Sequence, residues 1–154
     1  MCQTRKSGYE VLKVAYKKSI LIVDDELGVR ESLKMILKPI CRIHTAADGE
    51  EALQCIQKAK IDLVTLDLKM PGFSGIDVLR QIKENYPDIE VVVITAHNTA
   101  QNAQEATQYG AGGFITKPFN VPDLINSVNK SLERRSYNLR LKNFAQYNSL
   151  VIRS

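Results

Sequence analysis

The sequence predicts an α/β protein in which five helices cover both faces of a doubly wound parallel sheet of five strands. Short apolar runs of strand length alternate along the chain with longer segments of helical periodicity. Strands joined through helices run parallel with right-handed crossovers. The 154 residues, 44% of them hydrophobic and 25% charged, suit one compact domain with short flanking segments.

Five apolar runs are interpreted as the strands, and each of them except the second stops at a side chain that can take part in chemistry. They cover residues 20–23, 42–46, 61–66, 90–95 and 113–116. Asp24 and Asp25 follow the first strand, and Asp67 follows the third. Thr95 ends the fourth strand, and Lys117 follows the fifth. The carboxyl ends of parallel strands share one edge, which is where ligands bind in such sheets.

Five segments between and after these runs carry apolar residues at helical spacing. They are residues 27–37, 49 to about 59, 75 to before Pro87, 98–109, and 120 to about 134. Asp48, Ser74 and Asn120 stand where side chains commonly cap the first turn of a helix. The residues predicted to turn the last helix toward the sheet are Val121, Ile125, Val128 and Leu132.

The two ends of the chain carry its positive charge. Residues 1–18 hold five Lys or Arg against one acid, residues 130–154 hold six against one, and the centre has five more acids than bases. We therefore expect an N-terminal extension (1–17), partly helical around Tyr9, Leu12 and Tyr16, a central domain (18–134) and a basic tail or linker (135–154). The acidic centre disfavours direct nucleic-acid binding by the domain itself.

Composition narrows the setting of the protein. No apolar run approaches the roughly 18 residues of a membrane helix, and the N-terminal segment lacks the apolar core of a secretory signal. We therefore expect a cytoplasmic protein without a membrane partner. Cys2, Cys41 and Cys55 lack metal-type spacing and are expected to be reduced, with no functional role.

The acids at the strand ends predict a site for a divalent cation and a phosphoryl group. Asp24, Asp25 and Asp67 would repel one another at a shared edge unless cations neutralise them. One ammonium comes from Lys117, and the hard oxygen ligands favour Mg²⁺, which binds through a few carboxylates together with phosphate groups. The combination therefore predicts phosphoryl chemistry.

Each residue of this set has a physical task. We expect Asp25 to bind Mg²⁺ directly and Asp24 mainly through water, while Asp67 is both a ligand and the carboxylate nucleophile. Lys117 would neutralise charge on the phosphoryl oxygens. The Thr95 hydroxyl can donate to a phosphoryl oxygen only when one is present, so it would also act as a switch.

Four motifs carry a resemblance to a known family. VDDE (residues 23–26), DLKMPGFSG (67–75), TA (95–96) and FITKPF (114–119) resemble, in order and approximate spacing, the receiver domain of two-component response regulators, including the chemotaxis-regulator type. The resemblance covers residues 18–134. It implies a flavodoxin-like fold with strand order 2-1-3-4-5. It also implies phosphoryl transfer from a sensor histidine kinase or histidine phosphotransfer protein onto Asp67, and a Mg²⁺ site that includes the backbone carbonyl of Lys69.

The same resemblance implies further roles. Phe114 matches the aromatic switch position, and Lys69 and His97 match positions that flank the route of attacking water. The chain would not be an enzyme acting on another substrate, but a phosphoacceptor that catalyses its own phosphorylation and dephosphorylation. The fourth helix, fifth strand and fifth helix would form the signalling face and a homodimer contact. The Lys117–Pro118 bond is often cis in the family.

Several other functions were weighed. A haloacid-dehalogenase-type phosphatase needs a second Asp where Lys69 stands, a cobalamin-binding domain needs a His near Lys69, and the run G-x-x-x-x-G-K of a P-loop nucleotidase is absent. The remaining alternative is a degenerate receiver that acts as a phosphorylation-independent interaction module. The tail is too short for an output domain, so the chain is either a stand-alone receiver or the receiver portion of a longer regulator.

Overall fold

Five parallel strands form the central sheet. The computed structural model describes residues 17–153, so the predicted helical stretch around Tyr9, Leu12 and Tyr16 lies outside the described residues. The strands are β1 (Ser19–Val23), β2 (Arg42–Ala46), β3 (Leu63–Leu66), β4 (Glu90–Thr95) and β5 (Gly113–Thr116). Their order is β2-β1-β3-β4-β5. This order confirms the doubly wound sheet, although the third strand begins two residues later than predicted.

Five helices connect or follow these strands. They are α1 (Leu27–Leu37), α2 (Gly49–Lys58), α3 (Gly75–Asn85), α4 (Ala100–Gln108) and α5 (Val121–Ile152). The side chains of Asp48 and Asn120 each accept a hydrogen bond from the backbone N–H three residues on, at 2.8 Å, as predicted. Two expectations were wrong. Ser74 makes no capping hydrogen bond, and α4 starts two residues late because Thr99 caps it through the N–H of Asn102.

The core lies in two layers, one on each face of the sheet. On one face, Ile20 and Ile22 of β1 pack with apolar residues of α1 and α5. On the other face, Leu21 and Val23 pack with residues of α2, α3 and α4. Strands covered on both faces are apolar at nearly every position, which is why β1 and β4 were recognisable as continuous apolar runs. The packed layers hold the strand ends in fixed positions.

The fifth helix runs well past the predicted domain boundary at residue 134. It contains 32 residues and buries Leu124, Val128, Ser131 and Arg135. The predicted sheet-facing stripe was partly wrong, because Val121 is 49% exposed. Two polar residues at the buried positions disguised the true face. In spite of the length of α5, none of the helices among residues 17–153 is long and apolar enough to cross a membrane.

Candidate functional site

The carboxyl ends of β1 and β3 lie side by side and bring two aspartates together. The Asp67 N–H donates to the Val23 carbonyl at 3.1 Å, which aligns the two strand ends. Asp24 is 2% exposed and Asp67 is 5% exposed, whereas Asp25 is exposed. The short loop after β1 is held by the N–H of Glu26, which donates to Asp24 Oδ1 at 2.9 Å. Both strands therefore end in a carboxylate that is largely withdrawn from water.

Four carboxylates form a cluster at this edge. One carboxylate oxygen from each of Asp24, Asp25, Glu26 and Asp67 lies within 4.8 Å of the others. The Lys117 ammonium is held among them, with its Nζ at 2.6 Å from Asp24 Oδ2, 3.0 Å from Asp67 Oδ2 and 3.7 Å from Glu26 Oε1. The four negative charges exceed the one positive charge, so the cluster favours a further cation.

Burial and pairing shift the proton affinities of the central pair. Burial raises the pKa of Asp24 above its usual value, although hydrogen bonds from Lys117 and from the Glu26 N–H act in the opposite direction. Burial by itself would lower the pKa of Lys117, but its hydrogen bonds to Asp24 and Asp67 outweigh burial and raise it. The lysine is therefore held in its charged form by the carboxylates around it.

The loop that follows Asp67 is shaped by two glycines. Residues Lys69–Met70 and Phe73–Ser74 form a short antiparallel hairpin, and Gly72 at its turn has φ +74°, a conformation that favours glycine. A Cβ on Gly75 would lie 2.4 Å from Leu68 Cα and 2.5 Å from the Asp67 carbonyl oxygen. Glycine at position 75 therefore lets α3 begin directly against the backbone of the site.

The ends of β4 and β5 supply the remaining predicted residues. Thr95 is fully buried, and its Oγ1 accepts a hydrogen bond from the His97 N–H at 3.2 Å. The Lys117 N–H donates to the Thr95 carbonyl at 2.9 Å, which fixes the two strand ends relative to each other. The Lys117–Pro118 peptide bond is cis, in agreement with the expectation for the family.

These residues surround a cleft of about 380 Å³. Ala96 and His97 lie on one side of it, and the hairpin residues Lys69, Met70 and Pro71 lie on another. The Lys69 N–H donates to Asp67 Oδ1 at 3.2 Å. The cleft is large enough for a phosphoryl group beside the carboxylates.

Phe114 lies apart from this cleft. It is half-buried and packs on the core layer that contains α2, α3 and α4. Its register partner is Val93, two residues before Thr95 on the neighbouring strand. The predicted set therefore divides into residues that line the site and one aromatic residue beside the strand that leads to it.

Two residues at the site were not predicted. Glu26 joins the carboxylate cluster, and Arg30 donates from Nη1 to the Asp24 backbone carbonyl at 2.7 Å. Glu26 could have been found from its position next to Asp24 and Asp25 at a strand end. Arg30 carried no such signal, because its role depends on how α1 leaves the strand.

The donor set fits a divalent metal ion. Carboxylate oxygens are the ligands that Mg²⁺ and Ca²⁺ prefer, and the cluster of Asp24, Asp25, Glu26 and Asp67 offers one oxygen from each residue at short range. Asp25 and Glu26 are exposed, so an ion can reach the cluster from solvent.

Comparison with known proteins agrees with this geometry. The family model for the response regulator receiver domain matches residues 20–129. Sporulation initiation phosphotransferase F of Bacillus subtilis is 36% identical over 118 residues, which cover 76% of this chain and 95% of that protein. The regulatory protein LuxO of Vibrio cholerae is 34% identical over 123 residues, which cover 79% of this chain but 26% of that protein.

A solved structure extends the similarity to the fold. A CheY-like response regulator receiver domain protein from Methanospirillum hungatei superposes with a TM-score of 0.77 and 27% identity. The match covers 80% of this chain and 99% of that one. The matched residues include all five strands and the whole carboxylate cluster, and the chain therefore belongs to the receiver domain family of two-component response regulators.

Proposed function

We propose that the protein accepts a phosphoryl group on Asp67 from a phosphohistidine of a sensor histidine kinase or a histidine phosphotransfer protein. The observation that carries the proposal is the Lys117 ammonium between Asp24 and Asp67, at 2.6 and 3.0 Å, within the carboxylate cluster. A bare carboxylate repels the anionic phosphoryl group that it must attack. A fixed ammonium beside its oxygen reduces that repulsion and stabilises the charge of the transition state.

Asp67 is the proposed nucleophile. One of its carboxylate oxygens forms a bond to phosphorus while the bond from phosphorus to the histidine nitrogen breaks, and the released imidazole takes up a proton from solvent. The product is an acyl phosphate. The Lys69 N–H, which donates to Asp67 Oδ1 at 3.2 Å, helps to orient the carboxylate.

The proposed metal ligands are Asp24, Asp25, Asp67 and the backbone carbonyl of Lys69. Mg²⁺ bound there supplies positive charge for the phosphoryl oxygens. The chain's own part is to keep the acids ionised and close together. Glu26, one residue beyond Asp25 and 3.7 Å from Lys117, adds negative charge that attracts the ion.

Thr95 and Phe114 are the proposed switch. The Thr95 hydroxyl, which accepts from the His97 N–H, would turn to donate to a phosphoryl oxygen on Asp67. That change draws the end of β4 toward the site and alters the packing next to Phe114. The surface formed by α4, β5 and α5 would carry the signal to a partner protein or an output domain.

Lys69 and His97 are the proposed modulators of hydrolysis. Both line the cleft from opposite loops, so their side chains limit the approach of water to the acyl phosphate. Attack by water on phosphorus would break the bond to the Asp67 oxygen and release inorganic phosphate, which returns the receiver to its starting state.

A phosphorylation-independent interaction module is the less favoured alternative. Such a module would not need an ammonium within hydrogen-bond distance of two buried carboxylates. Keeping this arrangement without a chemical use would burden the fold, because buried charges are costly to desolvate.

The proposal is tested by labelling the protein from radioactive acetyl phosphate in the presence of Mg²⁺. We expect the wild-type chain to be labelled and Asp67→Asn to remain unlabelled, because an amide is not a nucleophile for phosphorus. Asp77→Asn is the matched control, since Asp77 is an exposed carboxylate on α3 whose ion-pair partner is Arg80. Its labelling should equal that of the wild type. Equal labelling of Asp67→Asn would exclude Asp67 as the acceptor, and absence of labelling in the folded wild type would favour the interaction module.

A further inference from the structure

One exposed face of α5 changes character along its length. Residues 123, 126, 130, 133, 137, 141, 144, 148 and 151 follow one another at alternating spacings of three and four, so they lie on a single side of the helix. The first four are Asp123, Asn126, Lys130 and Glu133, and all are exposed and polar. From residue 137 onward the face becomes largely apolar.

The apolar part, here called the α5 stripe, consists of Tyr137, Leu141, Phe144, Asn148 and Val151. Tyr137 is 56% exposed, Leu141 50% and Phe144 65%. At 3.6 residues per turn, the stripe is roughly 150° around the helix from the buried residues Leu124, Val128, Ser131 and Arg135. The receiver body therefore does not cover these side chains, and an apolar row of this length indicates a partner.

From this face we propose that the α5 stripe binds the same stripe of a second copy of the chain, as a parallel two-stranded coiled coil. Spacings of three and four are those of the core positions of such a coil. In a symmetric parallel pair each core residue meets its own counterpart. The stripe contains no charged residue, so self-pairing brings no like charges into the core. Asn148 would meet Asn148 of the second copy, and a single polar amide in the core favours one register.

The charges beside the stripe are also compatible with self-pairing. In an in-register parallel pair, Arg140 lies opposite Ala145 of the second copy, and Tyr147 lies opposite Ile152. Basic side chains elsewhere on this part of the helix are neutralised by the receiver body. Arg134 pairs with Glu90, Arg135 with Asp62 and Lys142 with Asp88. The positive charge of the tail therefore does not oppose association as strongly as the sequence suggests.

The direction of the stripe leaves room for two receivers. Because the stripe and the receiver-facing side of α5 point nearly opposite ways, the two receiver bodies would lie on the outer sides of the paired helices. The stripe covers about two heptads, or roughly 22 Å of helix. Such a short coil gives a weak dimer, so we expect a dissociation constant on the order of micromolar or weaker.

The first test is sedimentation equilibrium of the full 154-residue chain over a range of concentrations up to about 500 µM, a range wide enough to detect a weak dimer. We expect a monomer–dimer equilibrium that the double variant Leu141→Asp, Phe144→Asp weakens at least about tenfold, because two carboxylates would enter each apolar contact. The matched control is Leu150→Asp, which places the same charge at a 70% exposed leucine of the same helix, off the stripe. It should leave the equilibrium unchanged.

A second test fixes the direction of pairing. Asn148→Cys and Ser149→Cys are compared in a Cys2→Ser background under mild oxidation, since Cys41 is buried and Cys55 is half-buried. A parallel in-register pair predicts a disulfide-linked dimer at position 148 and little at 149. A chain that stays monomeric, or a dimer that the stripe variants do not weaken, overturns the proposal. The latter result would indicate the surface of α4, β5 and α5 instead. A stripe-dependent dimer without the link at 148 overturns the parallel arrangement.

Discussion

At the scale of single residues, Gly75 does more for the site than its small size suggests. It stands at the first position of α3, where the helix meets the backbone of Asp67 and Leu68. Backbone atoms cannot rotate away as a side chain can. A methyl group at this position therefore has to displace either the helix or the strand end that carries Asp67.

We expect Gly75→Ala to lower the free energy of unfolding by about 2 kcal/mol or more, because the added Cβ overlaps backbone atoms. The variant should also slow labelling of Asp67, since the neighbouring carbonyl must move. Urea denaturation and the acetyl phosphate assay measure these two effects.

The matched control is Gly28→Ala in α1, where an added Cβ has no atom within 4 Å. It should leave stability unchanged or increase it by up to about 1 kcal/mol, because alanine favours helix. If the two alanine variants were equally stable, the close approach at Gly75 would carry no energetic weight.

At the scale of elements, α5 is fastened to the opposite end of the sheet from the carboxylate cluster. Arg135 reaches Asp62 at 2.8 Å and also donates to the Asp88 carbonyl at 2.9 Å. Asp62 in turn accepts from the Ser19 N–H at 2.8 Å. One buried ion pair thus connects α5 with β1 and with the segment that leads into β3.

Removing one partner of this pair should be costly. We expect Asp62→Ala to lower the free energy of unfolding by about 3 kcal/mol, because the Arg135 guanidinium would stay buried without its counter-charge. Asp77→Ala breaks the exposed pair with Arg80, where both side chains are about half-exposed, and should cost about 1 kcal/mol or less.

A double variant separates pairing from burial. Asp62→Leu with Arg135→Leu should be more stable than Asp62→Ala alone, because no buried charge remains unpaired. Urea denaturation of all four proteins checks both statements. A double variant no more stable than the single one would mean that packing, and not charge, sets the cost.

At the scale of the whole molecule, the carboxylate cluster links folding to metal binding. A ligand that binds the folded chain alone stabilises it, by about 2.7 kcal/mol when its concentration is a hundred times the dissociation constant. Mg²⁺ should therefore raise the melting temperature, and addition of EDTA should reverse the increase.

Asp25→Asn should abolish most of this increase, because it removes a proposed ligand that is exposed and makes no printed contribution to the core. Asp77→Asn should retain it. Thermal unfolding followed by circular dichroism, with and without Mg²⁺, distinguishes these outcomes. The same increase in Asp25→Asn as in the wild type would place the ion elsewhere.

The sequence alone determined the strands, their polar ends and the residues that meet in the cleft. A strand buried on both faces shows in a continuous apolar run, and the ends of parallel strands share an edge by geometry. Asp24, Asp25, Asp67, Thr95 and Lys117 could therefore be placed together without coordinates.

Only the tertiary structure decided which side of α5 faces the sheet and what its basic residues do. Residues 121, 125, 128 and 132 fit a helical face as well as residues 124, 128, 131 and 135 do, and local periodicity cannot choose between them. The choice depends on partners distant in sequence, since Arg135 can be buried only because Asp62 waits at the amino end of the sheet. The same nonlocal contacts turn the apolar stripe outward, where sequence spacing alone could not have placed it.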